Sequence, residues 1–379
     1  MKTIVLKPTD LKMDEGLLKS TLVIDKGKIA GLSLNDIYLA DGAKRPSITL
    51  LPGFIDIHTH GAVGVDVNNA DADDLLKVAA FLADNGVTAW LPTLVPDSDD
   101  NYRRAIDAID LLMELQKERP VAQAVGVHYE GVFANEHMCG ALRPRYFKRF
   151  TGREVDDLPQ LQSGVHMTTL APEVEGGIEL VKELTKQRWV VSIGHTRADV
   201  ETLEKAFTAG ARHITHFFNA MTGIHHRDIG VAGWGLSRTD VTFDIVADGI
   251  HVDPKMIELA CRIKKPAGVS LISDSIAPTS LGDGDYEVWG ENISVVDGRT
   301  RNEGGSIAGS VITMHDAVKR MLALGFSSDD VALMASSNPA KLLGLEGERG
   351  SLDVGKRGDV VMMDADHNII STMIGGVLV

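Results

Sequence analysis

The sequence predicts an α/β chain in which a (β/α)8 barrel of the TIM type carries a small β-sandwich formed from both termini. Three observations predict it. Through the middle of the chain, eight short apolar runs alternate with stretches of helical length and helical periodicity. Both ends carry short β-type runs broken by turn residues. Metal-capable polar residues recur where the apolar runs end, and in such a barrel those ends converge on one mouth.

At the N-terminus the β-type runs are TIVLK, STLVID and KIAGLSL. The last stretch, GSLDVGKRGDVVMMDADHNIISTMIGGVLV, alternates apolar runs with GK, RGD and DHN turns. Neither end has enough strands to close a core alone. Residues 1–50 and 345–379 are therefore expected to share one β domain, with the barrel, residues 51–344, inserted between its halves. The eight runs are GFIDIHTH, VTAWLPT, AQAVGVHYE, VHMTTLAPE, WVVSIGH, HITH, VTFDIVAD and VSLISD. Helix candidates such as DADDLLKVAAFLADNG and ADVETLEKAFTAG open at Asp and close on Gly, as capping requires. After run eight come a Gly-rich excursion at residues 281–309 and two helices, about 310–324 and 328–342.

With 379 residues, 44% of them hydrophobic, the chain can bury a large core. A net charge of −15 disfavours nucleic acid or anionic membrane as partners, because both draw on clustered Lys and Arg. A small anionic substrate stays compatible, since a few local cations hold it. Cys139 and Cys261 are too few for a disulfide framework and read as ordinary thiols. The opening MKTIVLKPTDLKMDEG meets acidic residues before any apolar h-region, and no window approaches the ~18 apolar residues of a membrane span. A soluble, cytoplasmic protein is expected.

His58 and His60 end run one, Glu130 run three, His195 run five, His216 run six, Asp248 run seven and Asp274 run eight. Residues two apart in a strand face one side, so the pair His58 and His60 presents its imidazoles together. Taken singly, each of these residues also reads as a core histidine or a solvated carboxylate. Brought to one barrel mouth, they read as ligands of one or two divalent ions. Zinc suits the set best, while iron, manganese and cobalt share the same ligands. Asp274 is the candidate proton carrier: amide hydrolysis needs a group that takes a proton from metal-activated water and returns it to the departing nitrogen. His128 shares the face of Glu130 and reads as support for the site; His213 reads as structural.

Taken in order, LPGFIDIHTHG, TAWLPTL, GVHYEG, LAPE, SIGHT, THFFNAMTGIHHRDIGVAG, ADGIHVD, LISDSIAP, GSIAGS and SSNPAKLLGL resemble the N-acetylglucosamine-6-phosphate deacetylase family of the amidohydrolase superfamily. The resemblance runs essentially from end to end. It implies metal ligation by Glu130, His195 and His216, with a second ion possible where His58 and His60 are present. It also implies proton transfer by Asp274 and a homodimer. Substrate contacts fall to Ala141, Asn219, Ala220, Arg227, Asp248, Gly249, Ile250, His251, Ile307, Ala308 and Gly309. Arg227 suits a sugar phosphate because a guanidinium grips phosphate oxygens in pairs.

Two departures fall where the acyl group lies. Val132 follows Gly131 where the family commonly has Pro, and Leu142 stands at the position of a histidine that polarises the substrate carbonyl. Leucine donates no hydrogen bond, so Arg143, His137 or a second metal on His58 and His60 must take over that task. The resemblance implies hydrolysis of the N-acetyl group of an amino-sugar 6-phosphate. The alternative on the same scaffold is cleavage of an N-acyl amino acid or a cyclic amide.

Overall fold

The structure is a computed structural model that describes residues 4–5, 20–34 and 48–379. Its centre is a parallel sheet whose strands are β1 (Phe54–Thr59), β2 (Val87–Leu94), β3 (Gly126–Phe133), β4 (Val165–Leu170), β5 (Val190–Ile193), β6 (His213–Ile214), β7 (Thr242–Val246) and β8 (Val269–Ile272). They lie side by side in chain order. The ring closes just beyond the last strand, where Asp274 N–H donates to His58 O at 2.9 Å and His60 N–H to Ser275 O at 2.7 Å. All eight apolar runs are strands, and the fold is the expected barrel.

The helices form where capping and periodicity agree. In α1 (Ala72–Asp84) the Asp71 side chain accepts from Asp74 N–H, and Leu75, Val78, Ala79 and Leu82 bury one face at i, i+3, i+4, i+7 spacing. The helices α2 (Asp99–Leu115), α3 (Gly177–Lys186), α4 (Val200–Ala209), α5 (Gly230–Ser237) and α6 (Pro254–Lys264) complete the outer ring up to β8. Two serve as further capping examples: Asp199 caps α4 and Ser98 caps α2. No α-helix connects β3 to β4. That crossing is a long loop with 3-10 turns at Glu136–Met138 and Pro144–Tyr146, which carries residues 140–142 to the barrel mouth.

Beyond β8, residues 281–309 are not plain loop. They hold a three-stranded antiparallel sheet of Gly284–Val288, Glu291–Val296 and Arg299–Arg301. The helices α7 (Met314–Ala323), α8 (Ser328–Ala332) and α9 (Asn338–Leu342) follow, the last two joined through a π turn at Leu333–Ser337. Pro339 has no N–H to give to the preceding turn, which accounts for the widened helix at that point.

Chain ends meet as expected. Thr49–Pro52 pairs with Val360–Met363, which continues to Ile369–Ile374 and Val377–Leu378. A second antiparallel sheet holds Ile4–Val5, Ser20–Asp25 and Lys28–Leu34. Leu22, Ile24 and Ile29 of the one pack with Val360, Met362 and Met373 of the other, giving the sandwich its own small core. The rest of the TIVLK run lies outside the described residues, as does most of the opening segment. Among the described residues, no helix is long and apolar enough to cross a membrane.

Candidate metal centre and substrate cavity

His195, His216, Asp248 and Asp274 each stand two residues beyond their strand, at the ends of β5, β6, β7 and β8. Three of them, His195, His216 and Asp274, take positive φ values of 47°, 33° and 51°. Left-handed backbone costs a non-glycine residue roughly 1–2 kcal/mol, and such strain gathers where side chains must be aimed. Glu130 differs from expectation: β3 runs on to Phe133, and its register with β4 breaks between Glu130 and Phe133 at Gly131, whose φ is 70°.

Six buried side chains meet at the mouth. Glu130 Oε1 lies 3.0 Å from the Nε2 atoms of both His195 and His216 and 3.5 Å from His58 Nε2. Its other oxygen is 3.3 Å from His60 Nε2. Asp274 Oδ1 lies 3.3 Å from His60 Nε2 and 3.6 Å from His58 Nε2. The ligand atoms fall into two groups able to hold an ion, His58 with His60 and Asp274, and Glu130 with His195 and His216.

Donor chemistry fits a cation. A carbonyl oxygen only accepts, so His60 Nδ1–H donates to Thr93 O at 3.2 Å and His195 Nδ1–H to Met138 O at 2.8 Å. Each bond leaves an Nε2 lone pair pointing into the cluster, the arrangement that orients metal-binding imidazoles. His58 and His60 bring their Nε2 atoms within 3.1 Å of each other, and His195 and His216 within 3.0 Å. Lone pairs so close repel unless a cation or a proton lies between them.

Without a cation the polypeptide balances its charge with protons. Burial works to lower the pKa of His60, but Asp274 and Glu130 override it and raise His60 to about 10. His216 rises to about 9 against the same penalty, chiefly through Glu130. Burial also opposes ionisation of Glu130 and Asp274, yet the surrounding imidazoles, His58 foremost, hold both below their ordinary values. A divalent ion replaces those protons, since it binds the neutral imidazoles and the carboxylates directly.

Two further histidines are committed elsewhere. His128 bonds Ile57 O at 3.1 Å and Thr169 Oγ1 at 2.7 Å, and its ring stands edge-on to His58 with centroids 4.8 Å apart. Burial keeps it neutral, with a pKa well below the ordinary value. His213 bonds Thr242 Oγ1 at 2.7 Å and Asp244 Oδ2 at 3.0 Å. Asp244 also accepts from the His216 backbone N–H, so a buried carboxylate that sequence reasoning missed fixes a ligand's backbone.

Against the cluster opens a cavity of about 290 Å3. Of the residues expected to touch substrate, Ala141, Asn219, Ala220, His251, Ile307 and Gly309 line it. Asp248 stands behind His251, bonding His251 Nδ1 at 2.6 Å and accepting from the N–H groups of Ile250 and His251 at 2.8 Å. Gly249 has φ 72°, a backbone conformation that favours glycine, and a Cβ there would also displace the tip of the Arg320 side chain. Ala308 is buried behind Ile307 and Gly309.

Arg227 does not line this cavity. It sits on an exposed loop with its Nη1 2.6 Å from His226 Nε2. Nor does either proposed replacement for the missing histidine reach the site. Arg143 spends its guanidinium on Asp97 Oδ2 and Pro96 O, both at 2.8 Å, and on Trp289 O at 3.1 Å. His137 is exposed on the β3–β4 loop, outside the cavity lining. Leu142 does line the cavity and is buried. Trp289 joins it there from the inserted sheet, unanticipated in the sequence.

Residues 49–379 match the model of the Amidohydrolase family. The chain belongs to that family. Within it, this amidohydrolase groups with the N-acetylhexosamine-6-phosphate deacetylases. It is 34% identical to the N-acetylgalactosamine-6-phosphate deacetylase of Escherichia coli O157:H7 over 99% of both chains. It is similar to the solved N-acetylglucosamine-6-phosphate deacetylase of Thermotoga maritima, with a TM-score of 0.88 and 32% identity over 99% of each chain. A mutant of the Mycobacterium smegmatis enzyme, solved in complex with N-acetyl-D-glucosamine-6-phosphate, gives a TM-score of 0.84 at 28% identity, covering 95% of this chain and 94% of that one. Family and donor set together make a divalent metal the cofactor of this enzyme.

Proposed function

We propose that this amidohydrolase removes the N-acetyl group from an amino-sugar 6-phosphate, N-acetylglucosamine-6-phosphate or a close epimer, yielding hexosamine 6-phosphate and acetate. The observation that carries the reading is the meeting of both candidate ligand groups, Asp274 among them, against a cavity whose lining also includes His251. The epimer stays at the level of the hexosamine class, because the relatives act on different sugars by name.

A divalent ion on these residues supplies Lewis acidity, lowering the pKa of water and polarising the amide carbonyl. Glu130 offers one oxygen to each ligand group, which supports two ions, and zinc suits the nitrogen and oxygen donors. Arg143 and His137 are engaged or placed elsewhere and Leu142 cannot donate, so a cation held by Glu130, His195 and His216 or by His58 and His60 would be the group able to polarise the carbonyl. Asp274 takes a proton from the attacking water and hands it to the departing nitrogen. Asn219, Ala220 and the Ile307–Gly309 segment place the sugar, and His251, held by Asp248, meets the phosphate.

Arg227 takes its phosphate role in a homodimer. Since it stands outside the cavity of its own chain, we place it in the partner's. Mixing tests this. An Arg227→Ala protein and an Asp274→Asn protein, each nearly inactive on a phosphorylated substrate, should regain activity when subunits are exchanged, because one site of each mixed dimer keeps Asp274 and receives an intact Arg227. No recovery in verified mixed dimers would put Arg227 in its own chain's site or out of catalysis.

A further inference from the structure

We infer that Trp289 is the residue that sets which acyl group this enzyme removes, closing the acyl end of the cavity so that acetyl fits and longer chains do not. The inference rests on the deacylase reading above and deepens it. Trp289 enters the site from the tip of the inserted hairpin, between strands Gly284–Val288 and Glu291–Val296. Val288 pairs with Glu291, so Trp289 and Gly290 alone form the turn, with φ values of 56° and 75°. Two-residue turns of this kind call for Asn-Gly or Gly-Gly. A bulky residue in left-handed backbone is uncommon and points to a task for its side chain.

What the strained turn achieves is the placement of the indole. Its ring stands edge-on to His60 with centroids 5.3 Å apart and an interplanar angle of 83°. Only 6% of the residue is exposed, and it lines the cavity beside Leu142. The two share one apolar cluster with Ile276, Val288 and Ile293. Leu142 in turn leans over Gly131: a Cβ on that glycine would come within 2.3 Å of Leu142 Cδ1. Trp289 thus lies against His60 and Leu142 against the residue after Glu130, and the ligand atoms of His60 and Glu130 are 3.3 Å apart.

A substrate amide seated against that pair would have the apolar side chains of Leu142 and Trp289 beside its acyl substituent. Leu142 has no polar contact to offer that substituent, and the indole N–H is buried near Asp66, whose carboxyl it helps to hold down. The wall selects by size alone. Arg143 fixes the position of the indole, since its Nη1–H donates to Trp289 O at 3.1 Å while Asp97 and Pro96 O hold its other end at 2.8 Å. Arg143 is therefore a positioning residue, and this is what the segment departing from the family pattern does here.

The test is a series of N-acetyl, N-propanoyl and N-butanoyl hexosamine 6-phosphates, with kcat/KM measured for metal-loaded wild type, Trp289→Ala, Trp289→Leu and Arg143→Met. One methylene is worth about 10–200-fold at such a wall. Wild type should prefer acetyl, and Trp289→Ala should raise the butanoyl-to-acetyl ratio by at least about tenfold on that scale. Trp289→Leu, which keeps an apolar side chain at the tip, should shift it the same way by less, as should Arg143→Met. An unchanged ratio in Trp289 variants that retain metal, beside an active wild type, overturns the assignment alone. A wild type inactive on every member of the series overturns the deacylase reading and this inference together.

Discussion

Asp274→Asn should lower kcat on the acetylated sugar phosphate by about 10²–10⁴-fold, the usual contribution of a positioned proton carrier, while the ion held by Glu130, His195 and His216 remains. Asparagine keeps the shape of the side chain and can still meet His60, but it accepts no proton at neutral pH. The measurement is kcat beside metal content by elemental analysis. A further signature comes from pH. Burial pushes the Asp274 carboxyl up, and His58 and His60 together push it further down, so its folded pKa lies below the ordinary carboxylate value. The active form is the carboxylate, and a cation held at His58 and His60 favours it in the same sense as their protons do, so kcat/KM should fall with protonation of Asp274 only on the acid side of the ordinary carboxylate range, and that limb should be missing from the residual activity of Asp274→Asn wherever metal content is unchanged. Near-normal rates in the variant would remove Asp274 from the chemistry.

Glu130→Ala is expected to be the most damaging change to the metal centre. One carboxylate oxygen meets His195 and His216 at 3.0 Å and the other faces His60 at 3.3 Å, so its loss leaves a buried cluster of imidazoles without the anion that balances a cation. Loss of a residue that merely orients a ligand weakens metal binding by about 10–100-fold, and loss of this ligand should exceed that. A 100-fold weaker site forgoes about 2.7 kcal/mol of the stability that bound metal lends the fold. Thermal unfolding with and without added zinc reads this directly: the metal-dependent rise in Tm should be large in wild type and small in Glu130→Ala. An equal rise in both proteins would place the ion elsewhere.

Much of this was legible in the sequence, for a physical reason. Barrel strands are buried on both faces, so they appear as unbroken apolar runs, and the residues that end them share one mouth whatever their separation along the chain. His58, His60, His195, His216 and Asp274 could be read from that rule. Glu130 joins the cluster from within β3 and not from its end, because the ladder breaks after it at Gly131, and a glycine alone does not announce a register shift. The inserted sheet at 284–301 stayed hidden because its outer strands are short, polar and largely exposed.

Contacts that span the chain were the least legible. Arg143 meets Asp97 and Trp289, 46 and 146 residues away, and no local pattern marks such a pairing. Sequence reasoning therefore offered Arg143 as an electrophile, when the fold had already engaged it as an anchor. The dipeptide Trp289-Gly290 was the one available signal, a turn pattern with an improbable residue at its first position. Arg227 illustrates the opposite case: its residue type suits phosphate, but only the fold reveals that it does not line the cavity of its own chain.

The measurement that tests the central claim most directly is acetate release by protein stripped with a chelator, dialysed and reconstituted with one or two equivalents of zinc. The substrates are N-acetylglucosamine-6-phosphate and N-acetylgalactosamine-6-phosphate, each beside its unphosphorylated sugar. The account predicts loss of activity on stripping, recovery on reconstitution, and a strong preference for the phosphorylated form of at least one sugar. Acetate release undiminished in protein shown to be metal-free, or no release from either phosphate by fully loaded protein, would contradict it.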